Sequence, residues 1–196
     1  MKNSFVKAIY FLLFVCIASF LSSCGYNSMV AKRENVDGEW AKVQSAYQRR
    51  SDLIPNLIET VKGSAKFEQE TLEKVIEARS KATSIQLSAD DLTEENLARF
   101  QAAQAQLSGA LSRLLAVSEN YPDLKTTTAF RDLQAQLEGT ENRINTERNN
   151  FNDAVKDYNA FIQQFPRNFT ASWFGFQKKA YFKADAGTEN APKVKF

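Results

Sequence analysis

FRDLQAQLEGTENRINTERNNFNDAVKDYNAFIQQF, residues 130–165, is the stretch that decides the fold. Phe130, Leu133, Leu137, Thr140, Ile144, Glu147, Phe151, Ala154, Tyr158, Phe161 and Phe165 recur in unbroken steps of three and four. That period lines them along one face of an α-helix and matches the repeat used by bundles and coiled coils. Only Thr140 and Glu147 on this face are polar. The helix is roughly 55 Å long before Pro166 ends it.

The same spacing extends upstream. Tyr26, Met29, Arg33, Val36, Trp40, Val43, Tyr47, Arg50 and Ile54 form one stripe, in which the two arginines are departures. They either lie at the ends of a bundle with their stems packed or pair with buried carboxylates. Pro55 lacks an N–H and clashes with the carbonyl four residues back, so the helix is expected to kink or restart there. The stripe resumes as Ile58, Val61, Ala65, Glu68, Leu72, Val75, Arg79 and Ala82. Pro55 and Gly63-Ser64 are both candidate points for the chain to turn back. Thr93 is a natural N-cap for a third helix through Leu97, Phe100, Leu107, Leu111, Leu114 and Val117, which Tyr121-Pro122 stops. Gly139, in the middle of the last helix, suggests a close helix approach. With 7 glycines, 4 prolines and no strand alternation, the expected fold is all-α. It is an antiparallel four-helix bundle over residues 24–166, followed by an aromatic-rich irregular tail over 167–196 that packs on it.

The chain has 196 residues, a net charge of +2 and no histidine. Without imidazole there is no Ser-His-Asp triad, Cys-His dyad or histidine metal ligand. The near-neutral balance provides no basic field for nucleic acid. Carboxylates are the remaining catalytic resource. Asp52, beside Arg49 and Arg50 and just before Pro55, is the best local polar candidate, and Glu138, Glu141 and Arg143 come next. A structural role fits them better: Asp52 pairing with an arginine near the proline break, the others forming salt bridges between helices. No cofactor or metal is expected. In the tail, Trp173 and Phe174 stand near Lys178 and Lys179. These rings either fold back over the bundle or form a surface for lipid headgroups or a protein partner.

The first 23 residues read as an address. Met1 to Lys7 carries two lysines, Lys2 and Lys7, and no acid, and the apolar run Ala8–Leu21 is 14 residues, shorter than the roughly 20 needed to span a bilayer. Leu21-Ser22-Ser23-Cys24 resembles the lipobox of bacterial lipoproteins, which implies cleavage before Cys24 and lipidation of its thiol. An uncleaved N-terminal anchor and simple cleavage and release are the competing readings. The two anchored readings place the body outside the cytoplasm, on a membrane whose identity, inner or outer, stays open.

Several strings carry a family pattern: Tyr26-Asn27-Ser28-Met29-Val30, Trp40, and Tyr47-Gln48-Arg49-Arg50-Ser51-Asp52-Leu53-Ile54-Pro55-Asn56-Leu57. Glu77-Ala78-Arg79, Leu137-Glu138-Gly139-Thr140-Glu141-Asn142-Arg143-Ile144, Tyr158-Asn159 and Phe165-Pro166 continue it. Together they resemble the LemA family over essentially all of residues 26–196. The resemblance implies a membrane-attached helical bundle outside the cytoplasm, with no catalytic residues to carry over. With the carboxylates read as structural, the expected role is a scaffold or adaptor with an envelope protein partner, and alternatively, from the tail residues, a lipid-contacting or membrane-remodelling protein using the aromatic tail. Ser64 and Phe67 depart from the family pattern, where a tyrosine and a histidine are expected. The oligomeric state is open, because heptads serve one chain or several.

Overall fold

A computed structural model describes residues 2–63 and 68–183. Among these residues the fold is all-α, as the periodicity requires. The long helices are α1 (Lys2–Lys62), α2 (Gln69–Ser84), α3 (Glu94–Ser118) and α5 (Thr128–Gln163), with short α4 (Pro122–Thr126) and α6 (Arg167–Trp173). Helix α1 packs most extensively on α5, and α2 on α3. The contacts fix the directions. Arg79 of α2 meets Ser51 of α1 while Leu87, just past α2, meets Trp40; Ser108 of α3 meets Arg50 while Phe100 meets Trp40; and Glu141 of α5 meets Arg50 while Phe151 meets Trp40. Successive long helices therefore alternate in direction.

Helix α1 does not end at Pro55 but runs through it to Lys62. The turn falls near Gly63, and Ser64 and Phe67 lie outside the described residues. Proline leaves the Ser51 carbonyl without its helical donor. Arg79 Nε, reaching across from α2, donates to that carbonyl at 3.0 Å. The helix passes the proline because a side chain replaces the missing N–H.

Other helix ends follow local chemistry. Thr93 Oγ1 accepts from Asn96 N at 3.3 Å, and Thr127 Oγ1 accepts from Phe130 N at 3.4 Å, capping α3 and α5. The stripe of α5 is buried from Phe130 to Tyr158, but its last member, Phe165, is 80% exposed. The helix stops at Gln163, and Ile162 takes the final inward position. Gly139 also departs from expectation. A Cβ built there meets nothing within 4 Å, so no close helix approach explains it.

Two apolar clusters fill the interior. One gathers Met29, Val36, Trp40, Tyr47, Phe100, Ile144, Phe151 and Tyr158, and the other Ile54, Leu57, Leu72, Val75, Leu107, Leu114, Phe130 and Leu137. Each fully buried aliphatic or aromatic side chain contributes about 1.5–3 kcal/mol. Arg50, Gln104 and Thr140 are buried between the clusters in sequence order along α1, α3 and α5.

The beginning of the C-terminal tail is regular where irregular chain is expected, because residues 167–173 form α6. Its end is a Schellman cap. Phe176 N donates to Ala171 O at 2.9 Å and Gly175 N to Ser172 O at 3.4 Å, with Gly175 at φ 74°. That left-handed turn redirects the chain into an extended strap, residues 176–183, along α3 and α5. The rest of the tail, 184–196, lies outside the described residues.

Candidate functional site

The polar centre is built on Arg50, whose side chain is 2% exposed. Its Nη1 donates to Glu141 Oε2 at 2.8 Å and to Ser108 Oγ at 2.7 Å. Its Nη2 donates to Gln104 Oε1 at 2.6 Å, and the guanidinium lies 5.1 Å from the Tyr47 ring centroid. Gln104 Nε2 in turn reaches Ala82 O of α2 at 3.4 Å. One buried cation thus joins all four long helices. Glu141 remains 45% exposed, so the pair is solvated on its acidic side, which limits the desolvation that fully buried pairs suffer. Of the two stripe arginines, only Arg50 is interior. Arg33 sits toward the opposite end of the body, with its guanidinium 5.5 Å from the Phe176 ring centroid.

The other polar residues singled out by sequence do not converge on this centre. Asp52 is exposed and accepts from Gln48 Nε2 at 2.7 Å. Pro55 and Arg49 are also exposed. Arg143 points to Glu147, one turn on, at 3.4 Å. Glu138 is exposed at the edge of a cleft of about 410 Å³ that Arg50, Ser108, Leu111, Leu137 and Glu141 also line. Among the described residues, no group of three or more His, Cys, Asp or Glu is placed to hold a metal ion.

Trp40 organises the second focus. It is 2% exposed, donates from Nε1 to Leu87 O at 3.0 Å, and packs against Phe100, Phe151 and Phe182 at centroid distances of 5.5, 5.5 and 6.0 Å. Phe182 belongs to the strap, whose fastening by side-chain amides sequence reasoning missed. Asn159 donates to Lys179 O at 2.9 Å and accepts from Lys179 N at 3.0 Å. Asn152 does the same with Phe182, at 3.1 and 2.8 Å. Gln101 of α3 repeats it with Lys183, at 2.8 and 3.3 Å. Three side-chain amides each engage both polar backbone groups of one strap residue, as a neighbouring strand would. Asn152 and Asn159 are seven residues apart on one helix face, a poor place for asparagine by propensity, and that was the available signal.

Lys179, 9% exposed, lies 3.7 Å from Asp37 Oδ1 and 3.8 Å from Asp90 Oδ1, and also donates to Ala89 O. Asp37 Oδ1 is buried without a hydrogen bond. Burial raises the Asp37 pKa above its ordinary 3.8, and the Lys179 charge opposes that rise only in part. Tyr158, whose hydroxyl donates to Gln177 O at 2.9 Å, is likewise raised by burial.

The tail aromatics therefore divide. Phe176 and Phe182 are buried in the body, whereas Phe169, Trp173 and Phe174 are 66, 87 and 58% exposed. The exposed set lies at the end of the body where α1 emerges: Phe174 and Tyr26 rings are 4.9 Å apart. The side chain of Cys24 lies outside the described residues. Among those described, no helix is long and apolar enough to cross a membrane.

Alternating helices clamped by a buried arginine, with a strap bound along one end, define an all-helical protein whose polar centre joins its elements. The chain belongs to the LemA family, whose model matches residues 39–196. It is similar to magnetosome protein MamQ 2 of Paramagnetospirillum magneticum, at 25% identity, over 91% of this chain and 72% of that protein. Protein LemA of Metamycoplasma hominis is 24% identical over 93% of this chain and 80% of its own length. Magnetosome protein MamQ of Magnetospirillum gryphiswaldense is 25% identical over 80% and 64% respectively.

Proposed function

We propose that this protein is a non-enzymatic scaffold or adaptor of the bacterial envelope, held to a membrane at its N-terminus with its helical body outside the cytoplasm. The observation that carries this reading is the use of Arg50. The most buried charge in the described body is spent on Glu141, Ser108 and Gln104, joining helices and not facing a reactive cluster. The exposed flanks of α1 and α5 are then the surfaces available to a partner, which in this reading is another envelope protein.

Crosslinking in intact cells, followed by mass spectrometry of the purified full chain, tests it. A reproducible protein partner linked to one helix face supports the adaptor. Links confined to the chain itself reject it. The same digest reads the N-terminal peptide as acylated at Cys24 or intact from Met1. The alternative, a lipid-contacting protein, draws on the exposure of Trp173 and its neighbours.

A further inference from the structure

Four large aromatic side chains stand in solvent at one end of this body: Phe165, Phe169, Trp173 and Phe174, each 58% exposed or more. They are not scattered. Phe165 and Phe169 rings meet at 5.9 Å, and α6 carries Phe169 and Trp173 one turn apart. The Schellman turn at Gly175 then sends the chain inward, so the exposed set stops where the strap begins.

The position of this cluster matters more than its area. The first residue of α6, Arg167, has its Cγ 3.8 Å from where a Cβ on Gly25 would stand. Leu21, the last residue of the apolar run, is one turn further along α1, about 6 Å away on the helix axis. Of that run, Tyr10, Phe11, Leu12 and Leu13 are all more than half exposed, so no part of the described chain covers them. An apolar helix segment and an aromatic cluster thus emerge side by side from the same end.

We propose that Phe165, Phe169, Trp173 and Phe174 rest in the headgroup interface of the bilayer that holds the N-terminal segment, and so set the body upright on it. Tryptophan suits that boundary, because its ring is apolar and its N–H finds a partner among headgroups. An interfacial element sinks about 5–10 Å, which matches the short axial distance between Leu21 and α6. The placement is the same whether the anchor is residues 8–21 or an acyl group on Cys24, two residues before Tyr26. This inference rests on the membrane-anchored reading above, and the lipid surface replaces Lys178 and Lys179 with α6 as the contact element.

The test uses the full chain reconstituted into phosphatidylcholine–phosphatidylglycerol vesicles, with and without lipids brominated near the headgroup end of the acyl chain. The protein has two tryptophans, and Trp40 is a buried internal control about 21 Å further along α1 from Tyr26. Trp173→Phe, at an 87% exposed position, isolates the Trp40 signal without disturbing the core. The expected result is that brominated lipid removes more than about half of the Trp173 emission and leaves Trp40 unchanged, as interfacial depth requires. If the chain floats with the vesicles but Trp173 stays unquenched by bromolipid, the interfacial seat is wrong and the anchor stands. A blue shift of Trp173 without bromolipid quenching means that a second copy or another protein covers it, which also overturns the proposal. Failure to float overturns the anchored reading together with this one.

Discussion

Arg79 Nε donates to the carbonyl of Ser51 at 3.0 Å, and that carbonyl is the acceptor Pro55 leaves without an N–H. The two residues are 28 positions apart and on different helices. The interaction lets α1 continue two more turns to Lys62, which places Leu57, Ile58 and Val61 in the lower core.

The pair predicts a thermodynamic coupling. Arg79→Ala leaves a carbonyl unsatisfied and destabilises by about 1–3 kcal/mol. In a Pro55→Ala background the backbone supplies its own donor, so the same substitution costs markedly less. Denaturant unfolding of the four proteins of this cycle measures the difference, and additive costs would refute the role of Arg79.

The central arginine makes a second prediction. Arg50→Ala removes the partner of Glu141, Gln104 and Ser108 together with a packed stem, and costs about 3 kcal/mol. Glu141→Gln costs about 1 kcal/mol, because Glu141 is half in water and Arg50 retains its neutral acceptors. Asp52→Ala, on an exposed side chain, stays within about 0.5 kcal/mol of the parent. Urea titrations of the three variants should reproduce that order.

Gly139→Ala should stabilise the protein. The added Cβ meets nothing within 4 Å, and alanine gains about 0.5–1 kcal/mol over glycine inside a helix. A rise in Tm of about 2 °C is the expected size for a chain of this length. A fall would show that a contact not visible here occupies the space.

Asp37 gives a pH dependence. Its folded-state pKa is raised above 3.8, so the folded state binds more protons in the window between the two values. Stability from this group is complete below 3.8 and is lost as pH rises through the folded value. Asp37→Asn therefore melts higher than the parent at pH 7, and the gain shrinks as pH falls to about 4 or below. Thermal melts at several pH values check the convergence.

Releasing the strap should be local. Asn159→Ala deletes two hydrogen bonds to Lys179 and costs about 1–2 kcal/mol. Amide exchange of residues 179–183 should accelerate, while exchange in the middle of α3 changes little. Equal acceleration in both places would mean that the strap and the helices open together.

The sequence made the helices legible because a three-four stripe needs no knowledge of its partner. Thr93 and the residues of α5 from Phe130 to Tyr158 are cases in which local chemistry and burial agree. What was hidden depends on distant chain. The carbonyl that Pro55 frees is met by Arg79 from another helix, and nothing near residue 55 announces it. Phe165 continues the spacing but lies past the last helical residue, so periodicity alone overextends the buried face. Gly139 looked like a contact because its composition is unusual, yet the space beside it is open. The polar residues failed differently. Arg49, Arg50 and Asp52 are sequence neighbours, but helical geometry turns Arg50 inward and the other two out.

The amides of Asn152, Asn159 and Gln101 grip the strap by its main chain, and any residue except proline offers the same two groups. Gln177, Lys178, Tyr181 and Lys183 point outward from a track whose attachment is blind to their identity. Substitution there can change what the protein displays without changing how the track is fastened. An engineer could write a short epitope or affinity handle into those four positions and expect the register to hold.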